Sequence, residues 1–181
     1  MKTLRYIIIA TIFFAISGIL QAQENGASVN KPSGYRCFIQ HEINYRMLED
    51  ENVSGGAISN THGFYFNENC YVGLGFGFVY GKHTFCMPIY TTLSWNISYS
   101  SNVSPLVQVR VGSYISSDPG TYADLGFGVR FASKKRFAVT VMATGCFYDK
   151  LTASYYDTAL KADVEKKYKP LSAGIRIGVE L

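Results

Sequence analysis

The sequence alternates between two kinds of side chain, residue by residue, over most of its length. In the stretch CYVGLGFGFVYG, residues 70–81, large apolar or aromatic residues take the even positions from 72 to 80, and glycines take positions 73, 75 and 77. A period of two residues indicates a β-strand, because successive side chains on a strand point to opposite faces. Five further segments show the same period, at residues 35–46, 87–99, 107–115, 122–131 and 171–181. Residues 57–66 and 136–148 alternate less regularly, and we predict them as strands because hairpins must connect their neighbours.

The glycines at 73, 75 and 77 also raise the possibility of a phosphate-binding loop. A dinucleotide-binding loop requires the pattern GxGxxG followed by a helix. The run here is GxGxG, and Phe78, Val79 and Tyr80 continue the alternation after it. We therefore interpret the run as a strand, and we expect no nucleotide or other cofactor.

The two faces of the predicted strands differ in a way that indicates which one meets lipid. One face is almost continuously apolar, whereas the other is rich in glycine and carries isolated charges. The interior of an eight-stranded barrel is just wide enough for side chains to fill, which suits the second face. We predict an all-β fold, an eight-stranded antiparallel up-and-down transmembrane β-barrel. The charges expected in its lumen are Arg36, Glu42, Arg110, Asp124, Arg130, Arg176 and Glu180.

The strand ends and the connections fit the same architecture. Short turns are predicted at residues 67–69, 100–103 and 133–135, alternating with mostly longer loops at 49–55, 82–86, 116–119 and 149–169. Aromatic residues that face outward near strand ends would sit at the two membrane interfaces. The candidates for these interfacial positions are Tyr35, Tyr45, Tyr80, Tyr99 and Tyr148.

The first 22 residues have the composition of a secretory signal peptide. Lys2 and Arg5 precede an apolar run from Ile7 to Leu20, and the small residue Ala22 follows it. The alternative is a membrane-anchoring helix, but this run is shorter than the roughly 18 to 20 residues that a span needs. We expect a signal peptide at residues 1–22, a periplasmic leader at 23–33 and the barrel at 34–181.

Charge and cysteine content exclude some classes of function. Removing the signal peptide removes two of the 17 basic residues and none of the 13 acidic ones, so the formal net charge falls from +4 to +2. A net charge so close to zero gives no argument for a nucleic-acid partner. The four cysteines, Cys37, Cys70, Cys86 and Cys146, form no CxxC pair, which argues against a metal site. Disulfides are possible after export, but we favour four free thiols on strand faces.

These segments resemble the small outer-membrane protein β-barrel domain family, which includes OmpA-like and OmpX-like barrels. The resemblance covers nearly all of residues 34–181 and rests on GFYFNENCYVGLGFGFVYG, MPIYTTLSW, SPLVQVRVGSY, YADLGFGVRF and SAGIRIGVEL. It implies a monomer in the outer membrane of a Gram-negative-type envelope, surrounded by lipid and lipopolysaccharide and assembled by the barrel-insertion machinery. One departure is the terminal Leu181, where such barrels commonly end in an aromatic residue.

Charges in a narrow lumen must pair, because an isolated buried ion costs several kcal/mol. Closure of the barrel between its first and last strands would bring Arg36 near Glu180. A hairpin centred near Asp118 would place Arg110 diagonally opposite Asp124. We interpret the charges as ion pairs that fill the barrel, and the alternative is an ion path or a gate.

The histidines allow two further possibilities, neither of which we favour. If the first hairpin is centred between Glu51 and Asn52, His41 and His62 lie opposite each other and could share a metal or bind lipid phosphate. Some small outer-membrane barrels are lipid-modifying enzymes, and His83 or His41 could serve in such a site with a serine. No GxSxG, HExxH or paired-carboxylate motif appears, so we expect no enzymatic activity.

The predicted loop at residues 149–169 is the most informative surface segment. It combines Tyr155 and Tyr156 with lysines and acidic residues, and it is expected either to extend the flanking strands as a hairpin or to form a helical turn. We expect a structural or surface-interaction role through the extracellular loops, with Tyr155 and Tyr156 in contact with an unidentified ligand. The alternative function is a narrow channel for ions or small solutes. For the loop itself, a contact surface and solvated cover for the barrel mouth both remain open.

Overall fold

The computed structural model of the chain describes residues 34–47, 52–67, 69–81, 84–97, 103–116, 119–132, 137–149, 151–157, 162–168 and 171–181. The predicted signal peptide and leader therefore lie outside the described residues. Every element in these ranges is a β-strand, and none of the ranges contains a helix long and apolar enough to span a bilayer. The strands are β1 (Gly34–Met47), β2 (Asn52–Tyr65), β3 (Cys70–Gly81), β4 (Thr84–Asn96), β5 (Val103–Ile115), β6 (Gly120–Ala132), β7 (Ala138–Tyr148), β8 (Leu151–Asp157), β9 (Ala162–Tyr168) and β10 (Leu171–Glu180).

Eight of these strands form a closed antiparallel barrel in the order β1-β10-β7-β6-β5-β4-β3-β2. Consecutive barrel strands pair with one another, with β10 following β7 in the ring. The ring is completed by β1 and β10, whose register runs from Phe38 opposite Glu180 to Met47 opposite Leu171. A closed ladder leaves no unpaired strand edge, which is the condition for a sheet in lipid. The predicted fold class is confirmed, and it includes the two segments with less regular alternation, which form β2 and β7.

The outer surface of the barrel is apolar and the inside is polar. On the outer face, the side chains of Leu74 and Ile175 are 68% and 60% exposed. On the inner face, Gln108 and Arg130 are 0% and 1% exposed. Contiguous exposed apolar surface around a whole molecule is incompatible with water but is what a lipid-facing barrel requires.

The chain connections differ from the expected division into short turns and long loops. We call the end of the barrel where β1 begins and β10 ends the terminal rim, and the opposite end the loop rim. At the loop rim, β3 ends at Gly81 and β4 begins at Thr84, while β1 ends at Met47 and β2 begins at Asn52. The strands therefore extend into two of the predicted long loops, and the prediction of their length was wrong. The alternating residues VSGG at 53–56 can continue a strand because glycine and serine fit either face.

The long connection between β7 and β10 contains a second, two-stranded sheet. In this hairpin, β8 pairs antiparallel with β9, with Tyr155 opposite Val164 and Tyr156 opposite Asp163. The hairpin alternative is therefore observed, but in a sheet separate from the barrel rather than as an extension of the flanking strands, and a helical turn over 162–168 was wrong. On each of these two strands, apolar or aromatic residues mostly alternate with polar or charged ones, which is the period of two that a strand needs.

Glycines on the inner face make room for large neighbours inside the narrow barrel. A Cβ atom on Gly75 would overlap the ring of Tyr90, and one on Gly73 would lie 2.6 Å from the hydroxyl oxygen of Tyr71. The glycines at 73 and 75 therefore accept inward tyrosine rings from their own strand and from β4. The GLGFG run is a barrel strand, as its alternation predicted.

The two glycines of GFG in β6 provide a matched test of this packing. A Cβ on Gly128 would overlap the carbonyl oxygen of Val141, whereas one on Gly126 would find Met142 Sδ at 3.4 Å, an ordinary contact. We predict that Gly128→Ala lowers the free energy of unfolding by about 1–3 kcal/mol through overpacking. Gly126→Ala should be neutral or stabilising by up to about 1 kcal/mol, because alanine restricts the unfolded chain. Urea unfolding in lipid vesicles, followed by the fluorescence of the single tryptophan, Trp95, measures both. Equal effects of the two substitutions would contradict the steric explanation.

Candidate functional site: the charged lumen

The structure places all seven charged residues expected in the lumen inside the barrel, where each is buried. They are distributed along the barrel axis because they stand at different positions along their strands. Arg36, Arg130 and Glu180 lie near the terminal rim. Glu42, Arg110, Asp124 and Arg176 lie nearer the middle and the loop rim.

Arg176 on β10 joins two carboxylates from opposite sides of its strand. Its Nε atom donates to Glu42 Oε2 at 2.9 Å, and its Nη1 atom donates to Asp124 Oδ1 at 3.0 Å. Its Nη2 atom also donates to both carboxylates. β10 lies between β1 and β7, so an inward arginine at position 176 can reach Glu42 on the neighbouring strand and Asp124 on β6. Charge-assisted bonds of this kind are about twice as strong as bonds between neutral groups.

The thiol of Cys146 completes this cluster. Its Sγ atom donates to Asp124 Oδ2 at 2.8 Å and lies 3.6 Å from Glu42 Oε1. Glu42, Asp124 and Cys146 present three potential metal-ligand atoms within 4.8 Å of one another. The guanidinium of Arg176 already occupies the space between the two carboxylates, so this group reads as an ion-pair cluster rather than a metal centre.

A second ion pair lies near the terminal rim. Arg130 donates from Nε and Nη2 to the two carboxylate oxygens of Glu180, at 2.6 and 3.0 Å. Arg36 approaches the same carboxylate at 3.7 Å, and its Nη1 atom donates to the backbone carbonyl of Tyr35. The predicted proximity of Arg36 and Glu180 follows from the β1–β10 closure.

Arg110 directs its hydrogen bonds to neutral acceptors rather than to Asp124, the partner that its position suggested. Its Cα lies directly opposite that of Asp124, rather than on the predicted diagonal. The guanidinium nevertheless donates to Gln40 Oε1 and, at 3.3 Å, to Ser59 Oγ, and its Cζ atom lies 4.7 Å from the centre of the Tyr90 ring. The sequence therefore predicted that Arg110 and Asp124 lie on neighbouring strands, but it did not predict which way the long side chain of Arg110 extends across the lumen.

Neutral amides and hydroxyls connect the charged clusters. Gln108 donates to Ser94 Oγ at 2.9 Å and accepts from Arg176 at 3.2 Å. Gln40 and Gln108 face the lumen by simple alternation, yet their part in the network was not predicted. The signal that identifies them is their position on the same inward face as Glu42 and Arg110.

Aromatic layers lie at both ends of this polar lumen. Near the loop rim, Tyr148 packs against Tyr114 and Tyr122 with ring centres 5.8 and 5.4 Å apart, and Tyr90 lies 5.8 Å from Tyr122. We call these four rings the tyrosine layer. At the terminal rim, the rings of Phe38 and Tyr65 lie 4.8 and 5.2 Å from that of Tyr71. The remaining members of the core cluster at the loop rim are Val79, Cys86 and Cys146.

The prediction that Tyr148 is an outward interfacial residue was wrong. Its side chain is 1% exposed and belongs to the tyrosine layer. The phase of β7 explains this, because Thr140 and Thr144 share the face of Tyr148 and are also buried. The apolar Val141 and Phe147 occupy the other face and are exposed, so the polar threonines were the signal for its orientation.

The other predicted interfacial tyrosines follow the outer face where the structure describes them. Tyr45 is exposed, whereas Tyr35 and Tyr80 are partly buried by neighbouring side chains. The hydroxyl of Tyr35 hydrogen-bonds with His62 Nδ1, and that of Tyr80 hydrogen-bonds with His41 Nε2 at 3.0 Å. Tyr99 lies outside the described residues.

The suggested pairing of His41 with His62 was wrong. In the register of β1 and β2, His41 lies opposite Ile58, and His62 lies opposite Cys37. Each histidine instead bonds to a tyrosine hydroxyl, so the two do not share a site. His83 lies outside the described residues, and for Tyr155 and Tyr156 only the backbone of β8 is described.

Each of the four cysteines has a reduced thiol that is not part of a disulfide. Cys86 and Cys146 point into the lumen, whereas Cys37 lies on the outer face and donates to Asn60 Oδ1 at 3.1 Å. The structure therefore agrees with the interpretation of the cysteines as small residues on strand faces.

The closed antiparallel ring, the apolar exterior and the ion-paired lumen together define an eight-stranded β-barrel of the outer-membrane type. Comparison with solved structures gives the same class. The chain is similar to Neisserial surface protein A at 11% identity, with 82% of this chain and 97% of that one covered and a TM-score of 0.61. The expected resemblance to small outer-membrane barrels is confirmed at the level of fold.

Two further similarities are weaker. The N-terminal β-barrel domain of Pseudomonas aeruginosa OprF is 15% identical, with 80% and 97% coverage and a TM-score of 0.41. The outer membrane protein OprG from Pseudomonas aeruginosa is 12% identical, with 83% and 97% coverage and a TM-score of 0.43. No protein-family model matches the chain, and no curated protein matches it.

The Arg176 cluster makes a clear energetic prediction. Arg176→Met should lower the free energy of unfolding by about 3–5 kcal/mol, because it leaves Glu42 and Asp124 buried without their cation. The triple variant Arg176→Met, Glu42→Gln, Asp124→Asn removes all three charges and should recover most of that loss. Urea unfolding in lipid vesicles, followed by Trp95 fluorescence, compares the two. A triple variant that is no more stable than the single one would contradict the ion-pair assignment.

Proposed function

We propose that the protein is exported by its N-terminal signal peptide to the outer membrane of a Gram-negative-type envelope. There it serves as a side-chain-filled barrel with a structural or surface-interaction role. The observation that carries this proposal is the construction of the lumen. Buried ion pairs and amides fill the middle, and aromatic rings lie across both ends.

The proposed role belongs to the surface rather than to the lumen. The longest connection leaves the barrel at the loop rim and carries the β8–β9 hairpin, and long connections of this kind are extracellular in outer-membrane barrels. We propose this hairpin, with Tyr155 and Tyr156, as the contact surface for an extracellular ligand. Outer-membrane lipid and lipopolysaccharide would surround a monomeric barrel assembled by the insertion machinery.

We propose no enzymatic role. In the described part of the chain, the hydrogen bonds of His41 and His62 go to tyrosine hydroxyls. A catalytic serine–histidine pair would instead need the imidazole within hydrogen-bond reach of the nucleophile.

A narrow channel is the second candidate, and one observation favours it. Among the described residues, the hydroxyls of Thr92, Thr140 and Thr144 are buried without a hydrogen-bond partner. Buried polar groups of this kind usually bond to internal water, and a continuous file of water would conduct ions. The aromatic layers at both ends argue against continuity, and conductance distinguishes the two candidates.

The proposed location is tested by expression of the full chain, including residues 1–22, in a Gram-negative host. We expect the protein in the detergent-extracted outer-membrane fraction, without residues 1–22. It should migrate differently on a gel before and after boiling, because a closed barrel resists unfolding by detergent in the cold. A soluble protein with no mobility shift would reverse the assignment of the inner and outer faces.

The proposed closure is tested in planar bilayers. We expect the purified protein to produce no stepwise conductance, because the lumen of an eight-stranded barrel is filled by its own side chains. A 16-stranded porin, which has an aqueous channel, serves as the positive control for insertion. Reproducible conductance steps from protein that passes the mobility test would favour the channel instead.

A further inference from the structure

The β8–β9 hairpin extends across the mouth of the barrel. It is inserted between β7 and β10, which are adjacent in the ring. Its first strand, β8, nevertheless approaches β4, which lies on nearly the opposite side of the ring. A segment that leaves the rim at β7 and reaches β4 must pass over the opening between them.

The inward residues at the loop rim are buried as if the mouth were covered. Tyr148 is the last residue of β7 and Tyr114 the second-last of β5, yet their side chains are 1% and 0% exposed. Cys86, the third residue of β4, is also 0% exposed. Neighbouring rings shield these side chains from the sides and from below. Their burial at the end of an open barrel also requires cover from above.

The register of the hairpin gives it two unlike faces. Residues directly opposite in an antiparallel pair share a face, and faces alternate along each strand. One face carries the pairs Leu151–Tyr168, Ala153–Lys166, Tyr155–Val164 and Asp157–Ala162, and six of its eight residues are apolar or aromatic. The other face carries the pairs Thr152–Lys167, Ser154–Glu165 and Tyr156–Asp163, and it is polar. Tyr155 and Tyr156 are adjacent in sequence but belong to different faces.

We propose that the β8–β9 hairpin is a lid that closes the extracellular mouth, with the face that carries Tyr155 turned toward the tyrosine layer. An isolated two-stranded hairpin is marginal in water, and apolar cover beneath one face supplies the stability that it lacks. The polar face that carries Tyr156 is then the surface presented to the outside. The lid goes beyond the proposed function, since it requires no external ligand. With the lid closed, Tyr156 rather than Tyr155 is the tyrosine presented to such a ligand, so the lid narrows the proposed contact surface to the polar face.

Cys86 provides a natural reporter of the lid. A variant with Cys37→Ser, Cys70→Ser and Cys146→Ser keeps Cys86 as its single thiol, and serine preserves the donors at positions 37 and 146. The folded protein in detergent micelles is treated with a charged maleimide, and the labelling rate is measured by mass spectrometry. With the lid in place, labelling of Cys86 should be slow.

Removing the lid should expose the reporter. Replacement of residues 151–168 by a short glycine–serine linker should raise the labelling rate by about 10- to 1,000-fold. This range corresponds to a lid that opens spontaneously for roughly 0.1–10% of the time. Fast labelling in the protein with its intact hairpin, or an unchanged rate after the replacement, would overturn the proposal.

The adjacent tyrosines test the orientation of the lid. Tyr155→Ser should raise the labelling rate of Cys86, because it removes apolar contact on the face that we assign to the barrel. Tyr156→Ser is the matched control on the other face and should leave the rate unchanged. The reverse result, with Tyr156→Ser alone opening the mouth, would overturn the proposed face.

Two controls separate the lid from general unfolding and from the proposed function. A parallel variant that keeps Cys70 instead reports on the terminal rim, where the thiol is partly exposed, and its labelling should not depend on the hairpin. Each variant must retain heat-modifiable gel mobility. Because the labelling uses purified protein, a failed lid test is distinct from a protein that fails to reach the outer membrane or that conducts.

Discussion

The hydrogen-bonded pairing of β1 with β10 is the contact on which the rest of the structure depends. It joins the two ends of the barrel chain and removes the last free strand edge. Once the ring is closed, alternation leaves one face outside and one inside. The inside of eight strands is too narrow for a second apolar face of large residues, so glycine and paired polar residues occupy it. The inward rings of Tyr71, Tyr90 and Tyr114 fit because glycines lie against them.

The sequence was sufficient for the fold class and for the face on which most residues lie. Regular alternation in six segments identified the inward arginines and carboxylates. With a period of two, the face of every residue on a strand is determined once the face of one residue is known. The pairing partners were less accessible. A strand register depends on the geometry of the connecting turn, and an error of an even number of residues preserves every face while changing every partner. This is why His62 lies opposite Cys37 rather than His41, and why Arg110 lies directly opposite Asp124.

The contacts of the lumen were beyond prediction for a different reason. Arg176 meets Glu42 across 134 positions of sequence and Asp124 across 52, and both contacts exist only after the ring has closed. A long flexible side chain can also leave its pairing partner for a better acceptor, as Arg110 does toward Gln40. Tyr148 shows the opposite case, since two threonines in the same phase of β7 carried the information. The position of Tyr148 near a strand end was a weaker guide to its orientation. Aromatic residues at strand ends occur both on the outer face, at the membrane interface, and on the inner face, where they close the end of the barrel.

The charged lumen also explains why the barrel has one register rather than several. If both faces of the strands were apolar, a slip of one residue would cost little, because lipid and lumen would accept either face. Here the same slip would turn Glu42, Asp124 and Arg176 toward hydrocarbon, where an ionisable side chain costs several kcal/mol. Replacing buried ion pairs by apolar residues often stabilises a soluble protein, but in this barrel it would remove the difference between inside and outside. The ion pairs therefore contribute most by making the alternative arrangements of the same strands unfavourable.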